Sequence, residues 1–237
     1  MPDIALIAAL EREVRPLVRS WQRIDREQAG HRFRFFEAEN CVLVCGGMGP
    51  EAARRAAEAA TVLYAPKALY SVGFAGALNA TLRVGRVMES RYVVDAGDGS
   101  RVDAHAGSGT LVSFASVAGR EQKIKLASAY GAQAVDMEAA AVARAAEAHG
   151  LRFAAVKVIS DELGFPMPDI APFTAADGRF REAAFVIHAA LRPWLWPPLI
   201  RLARNSVEAS RALSEHLAAA LLTRGADSRI LLAKDGP

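Results

Sequence analysis

Cysteine is scarce in this sequence, with Cys41 and Cys45 the only two among 237 residues. They lie four residues apart in an apolar stretch that reads as a strand, so they share one face, and nothing nearby completes a zinc set. Buried free thiols are the expectation, which suits a reducing cytoplasm. Also missing is any stretch of about 18 apolar residues, so no membrane-spanning helix is expected. The apolar run at Ile4 to Leu10 is too short for a signal sequence and lacks a basic lead-in. No run of five or more basic residues occurs, and a formal net charge of +3 with scattered arginines argues against a nucleic-acid platform. The five histidines are widely spaced and show no metal-ligand spacing. No metal or organic cofactor is implied.

What is present is a globular composition, 52% hydrophobic and 23% charged, in a chain long enough for one self-sufficient domain. Short β-rich runs bounded by glycine alternate with alanine-rich helical runs. That pattern predicts an α/β fold: a single central sheet, mixed but largely parallel, flanked by helices. Strands are expected at Asp3–Ala9, Phe33–Ala38, Cys41–Cys45, Ala68–Val72, Arg86–Glu89, Arg91–Val94, Thr110–Phe114, Gln133–Val135 and Phe153–Ile159. Helices are expected at Glu11–Ser20, Pro50–Tyr64, Arg120–Ala129 and Glu138–His149. The segment GFAGAL, Gly73–Leu78, reads as a loop ending its strand, and the Gly/Asp/Ser-rich connection before Thr110 as a mobile loop. From Ala171 to Leu222 the pattern is helical, interrupted by RPWLWPP at Arg192–Pro198, which predicts a C-terminal helical appendage. The domain is taken as residues 1–222, with 223–237 a flexible tail.

Two segments carry chemistry: VDMEAAAVARAA, Val135 to Ala146, and FAAVKVISD, Phe153 to Asp161. In an open α/β sheet ligands bind outside the carboxyl ends of the strands, and Glu138 and Asp161 both fall at such ends. Singly, each has a structural reading, Glu138 as an acid favoured in a first helical turn and Asp161 as a cap. Together they put two carboxylates on one crevice. The glycine-rich GGMGPEA, Gly46 to Ala52, also fits a dinucleotide-binding pattern, but the acid that should follow at the end of the next strand is absent from KALYS.

Five strings in order, IALIAALEREV, CGGMGPEAARRAA, YSVGFAGALNATLRVG, AVDMEAAAVA and VKVISD, resemble the nucleoside phosphorylase and nucleosidase superfamily. The resemblance is to methylthioadenosine/S-adenosylhomocysteine nucleosidases and hopanoid-associated nucleoside phosphorylases in particular. It implies cleavage of the N-glycosidic bond of a purine nucleoside. Asp161 then matches the acid that protonates purine N7, and Glu138 the acceptor for the ribose 2′- and 3′-hydroxyls, with Met137 against the sugar. Glu13 matches the residue that positions or deprotonates the attacking water. Gly73, Phe74 and Ser160 fall on the substrate side of the same alignment. The chemistry needs these types because a purine anion leaves poorly until protonated, while anionic and polarizable groups stabilise the developing oxocarbenium ion. As the proton donor, Asp161 is expected to have a pKa raised by burial, and Asp161→Asn to abolish turnover with little change in folding.

The acceptor stays open between water and phosphate. Ser71 and Phe74 stand where phosphate-using relatives carry an arginine and a serine, which favours water. Arg12 and Arg15, beside Glu13, read first as a solvated helix face and otherwise offer phosphate another approach. In the appendage, Trp194, Leu195 and Trp196, then Leu199, Leu202, Ala203 and Leu213 with interleaved arginines, form an apolar stripe. It reads either as core or oligomer packing or as a lip for a bulky 5′ substituent that touches a membrane surface through Trp194 and Trp196. A homo-oligomer is expected. Base contacts are expected from Phe114–Val117. The competing readings are a nucleoside sensor of the same fold without turnover and, more weakly, a dinucleotide-binding protein.

Overall fold

The computed structural model describes residues 2–167, 171–173, 181, 184–185, 192, 194 and 196–231, with side chains for all of these but Ala171 and 223–231. Strand β1 (Ile4–Ala8) is buried throughout and alternates its side chains between two cores. Ala5 and Ile7 face one way, against the alanine stripe Ala53, Ala56, Ala57 and Ala60 of α2 (Pro50–Tyr64) and against α4 (Ala139–Ala148). Ile4, Leu6 and Ala8 face the other way, against Val14 and Leu17 of α1 (Glu11–Val18) and against Ala209, Leu213 and Leu217 of the C-terminal helix α5 (Trp196–Leu231). The strand period of two thus sorts one sequence run into both faces of a layered α/β sandwich.

The sheet runs β2 (Gln22–Gln28), β3 (His31–Glu37), β4 (Cys41–Cys45), β1, β5 (Ala68–Ala77), β10 (Ala134–Asp136), β9 (Thr110–Ser113), β7 (Tyr92–Asp95) and β8 (Arg101–Asp103). Strand β11 (Arg152–Asp161) pairs with β5 and with β6 (Val87–Ser90). The sheet is mixed: β1 with β4 and β5, β5 with β11, and β9 with β7 and β10 are parallel, while the outer hairpins are antiparallel. This is the expected fold class, with the C-terminal helix packed on one face. Among the described residues no helix is long and apolar enough to cross a membrane. Cys41 is buried, Cys45 half-buried, and both are free.

The structure differs from the sequence reading in three places. The polar stretch QRIDREQ forms β2, joined to β3 by Ala29 and Gly30, whose positive φ angles of 50° and 74° fit a two-residue hairpin turn. The connection expected as a mobile loop holds β8, paired to β7, with the Arg101 guanidinium 3.6 Å from the centroid of the Tyr92 ring. GFAGAL is not a loop through most of its length: β5 continues through Gly73, Phe74, Ala75 and Gly76 to Ala77, paired along this extension with β11. The appendage is described as a short 3-10 turn at Ala171–Phe173 and as α5, which reaches Leu231. Pro193, Leu195 and most of the expected helical pattern between 174 and 191 lie outside the described residues, as do 232–237.

Candidate active site

The carboxyl ends of β1, β4, β5, β10 and β11 open into one cleft of about 990 Å³. Glu13, Phe74, Met137, Glu138, Ser160 and Asp161 all line it, and Gly73 lies immediately behind, against the Glu13 carboxylate. The sequence-predicted residues are thus brought together, although they come from four separate segments.

Asp161 owes its place to an irregularity at the end of β11. Ile159 pairs with Ala75 in ordinary register, but Asp161 pairs with Gly76, so Ser160 is the extra residue of a bulge. A bulge re-aims the side chains that follow it, and here the carboxylate comes to line the cleft. Asp161 is 5% exposed and Lys123, from α3 (Arg120–Tyr130), is 2% exposed. The Lys123 ammonium donates to Asp161 Oδ2 and, at 2.9 Å, to the Glu162 carbonyl. Ser160 Oγ donates to Asp161 Oδ1 at 2.8 Å. Asp161 is therefore half of a buried ion pair with Lys123.

Glu138 sits at the N-cap of α4 yet makes no side-chain cap there. Its carboxylate instead accepts the Gly49 N–H at 2.8 Å on Oε1 and the Met137 N–H at 3.2 Å on Oε2. The glycine-rich turn after β4, which suggested a dinucleotide site, has its Gly49 amide committed to this carboxylate. Behind Glu138 lies a buried charge cluster. Lys157 Nζ is 2.8 Å from Asp136 Oδ2, and Asp136 also accepts Ser113 Oγ at 2.6 Å and the Ala139 N–H at 2.9 Å. Burial and the Asp136 charge raise the Glu138 pKa, against the opposing pull of Lys157 and the two amides. Burial opposes the Lys157 charge, but Asp136, Glu138 and Glu13 outweigh it and hold its pKa above the ordinary lysine value.

Glu13 projects from the first turn of α1 and is 7% exposed. Burial first, then the Glu138 charge, push it up to about 7, with Lys157, Arg12 and the Phe74 amide pulling down. Gly73 permits this approach: at φ +142° its missing Cβ would collide with Glu13 Oε2. Arg12, Arg15 and Arg19 line the cleft from the exposed side of α1. Ser71 is fully buried and does not line the cleft. From the expected base-contact stretch, Ser116 and Val117 line the cleft, while Phe114 packs into the core beside Val94 and Val112. No group of three metal-ligating side chains occurs among the described residues.

Sequence reasoning missed Lys123, Asp136, Lys157 and the Gly49 amide. For Lys123 a signal existed, because it heads the helical stripe Lys123, Leu126, Ala127 and Tyr130, whose other members pack in the core. A lysine at the head of an apolar stripe needs a buried partner.

A family model described as the phosphorylase superfamily matches residues 3–114 and 100–191. The chain belongs to this superfamily. Three solved structures match over nine-tenths or more of this chain. The 5′-methylthioadenosine/S-adenosylhomocysteine nucleosidase of Helicobacter pylori, crystallised with butyl-thio-DADMe-Immucillin-A, is 16% identical with a TM-score of 0.67, covering 92% of this chain and 97% of that one. The S-adenosylhomocysteine nucleosidase of Streptococcus pyogenes, in complex with 5-methylthiotubericidin, is 19% identical with a TM-score of 0.66, covering 90% and 93%. The futalosine hydrolase of Helicobacter pylori strain 26695 is 16% identical with a TM-score of 0.65, covering 92% and 98%. At these identities the likeness is one of fold. A comparison with curated protein sequences gave no match.

Proposed function

We propose that this protein cleaves the N-glycosidic bond of a purine nucleoside, with water as the acceptor. The observation that carries the reading is the convergence of Glu13, Glu138 and Asp161 on one cleft at the strand ends. Asp161 serves the purine side, protonating N7 so that the base leaves neutral, a step worth about 10²–10⁴-fold. Glu138, held by the Gly49 and Met137 amides, keeps its oxygens fixed to accept from the ribose diol. As the C1′–N9 bond stretches, the sugar turns cationic, and the Glu138 charge with the Met137 side chain stabilises it more than the ground state. Glu13, near 7, is suited to take the proton of an attacking water at neutral pH.

Water is favoured because Glu13, Asp136 and Glu138 outnumber Lys157 in the buried cluster, which repels a phosphate dianion. Phosphorolysis is the second reading, supported by Arg12, Arg15, Arg19 and Arg211 around the same cleft. A pure sensor has no use for a buried ion pair and a carboxylate raised to about 7, both of which cost stability. The cleft volume stands at the upper end of the roughly 300–1,000 Å³ of small-molecule sites. Its extension between α1 and α5 is lined by Pro16, Leu199, Leu202 and Val207, which suits an adenosine-type substrate with a bulky apolar 5′ substituent. Exposed Trp194 and Trp196, with exposed Arg201 and Arg204 on α5, suit a peripheral membrane contact that delivers such a substrate. A cytoplasmic homo-oligomer remains part of this reading.

Incubation with adenosine and methylthioadenosine, with and without phosphate, tests it. Free ribose products independent of phosphate are expected. Ribose 1-phosphate formed only with phosphate establishes the second reading, and no base release from any purine nucleoside removes both.

A further inference from the structure

A problem of proton supply follows from the partners of Asp161. Both of its carboxylate oxygens accept hydrogen bonds, Oδ2 from the Lys123 ammonium and Oδ1 from Ser160 Oγ. An ammonium can only donate, so the Oδ2 that faces Lys123 holds no proton of its own, and the proton nearest to it is on the lysine. We propose that Lys123 is the proton reservoir of the site, passing a proton through Asp161 to the departing purine. This rests on the purine-nucleoside reading above and adds a residue to it.

Three observations support the assignment. Lys123 and Asp161 line the same cleft, and the ammonium is held by Asp161 Oδ2 and by the Glu162 carbonyl at 2.9 Å, a fixed seat at the acid. Space has been left for the pair: a Cβ at Gly76 would lie 2.9 Å from Lys123 Cε and 3.0 Å from Asp161 Oδ2, so the strand is bare where the dyad sits. Finally, Ser116, Val117 and Ala118, which lead into α3, line the cleft beside Lys123, so the helix that carries the cation also walls the site.

The C1′–N9 bond breaks with its electron pair passing to the purine, N7 takes a proton from Asp161, and Asp161 takes one from Lys123 Nζ, while a water oxygen bonds to C1′ and yields a proton to Glu13, which passes it to solvent. The dyad is left as a neutral amine beside a carboxylate, and solvent returns one proton to Lys123 once the base has left the cleft. The first transfer, from Lys123 to Asp161, turns a buried ion pair into two neutral groups, a change that low dielectric favours.

The test compares two leaving groups, adenine from adenosine, which needs a proton, and 4-nitrophenolate from 4-nitrophenyl β-D-ribofuranoside, which does not. For Lys123→Met the ratio of adenosine to nitrophenyl riboside turnover is expected to fall by about 10²-fold, through kcat rather than KM. Lys123→Arg preserves a cation next to Asp161 but holds its proton too tightly to donate it, and is expected to stay slow on adenosine. An unchanged ratio in Lys123→Met overturns the proposal in favour of a purely structural lysine. Recovery of adenosine cleavage by Lys123→Arg overturns it in favour of a positioning cation. Wild-type protein inert toward both probes removes the underlying reading instead, and this one with it.

Discussion

Asp161→Asn leaves the Lys123 ammonium buried with backbone carbonyls as its remaining partners. Breaking a buried pair from one side costs about 3–5 kcal/mol, so this variant is expected to lose stability as well as about 10²–10⁴-fold in purine cleavage. The expectation of little change in folding is thereby revised. Pairing it with Lys123→Met removes the stranded charge, and urea denaturation is expected to show recovered stability without recovered turnover. Glu13 makes a separate prediction through pH. With its pKa raised to about 7 by burial and by Glu138, it acts as a base only above that value, so kcat/KM is expected to rise with pH through about 7. Glu13→Gln removes this limb. Stability runs the opposite way: a folded-state value above the ordinary 4.5 means the contribution is full below about 4.5 and lost as pH rises through about 7. The melting temperature of Glu13→Gln relative to wild type is therefore expected to be higher at pH 8 than at pH 5.

At the scale of elements, β5 connects fold to chemistry. Its glycines read as chain breakers in the sequence, yet the strand continues through both, because bare backbone is what lets Glu13 and the Lys123–Asp161 pair approach it. Gly73→Ala is expected to displace the Glu13 carboxylate and to strain a φ of +142°, lowering kcat by about tenfold or more while costing on the order of 1 kcal/mol or more in stability. On the other face, Leu213 of α5 is fully buried between α1 and the sheet, so Leu213→Ala is expected to cost about 2–5 kcal/mol by urea denaturation. The elements legible in the sequence were those whose signal is local. Strand β1 is a continuous apolar run, and α2 opens on Pro50 and carries an unbroken alanine stripe. Strand β2 was not legible, since an edge strand of polar residues lacks the alternation that marks a half-buried one. In the site, Glu138 and Asp161 were legible from their place at strand ends and from resemblance. Lys157 was not, because its meaning depends on Asp136, brought to it by tertiary folding from a different strand.

For the molecule as a whole, the exposed side chains of Trp194 and Trp196 do not line the cleft. Trp194 is 71% exposed and Trp196 begins α5, whose Leu199 and Leu202 line the cleft. Replacing both tryptophans by alanine is expected to reduce flotation with anionic liposomes and activity on a detergent-dispersed lipid nucleoside, while leaving adenosine cleavage in place. Unchanged flotation and lipid-nucleoside activity remove the membrane contact from the account. The central claim, that one cleft joins an acid for the base and an anion for the sugar, is tested most directly by following adenine release from methylthioadenosine. Wild-type protein is expected to liberate adenine, with both Asp161→Asn and Glu138→Gln slowed by about 10²-fold or more. Adenine release at wild-type rates from both variants would contradict it.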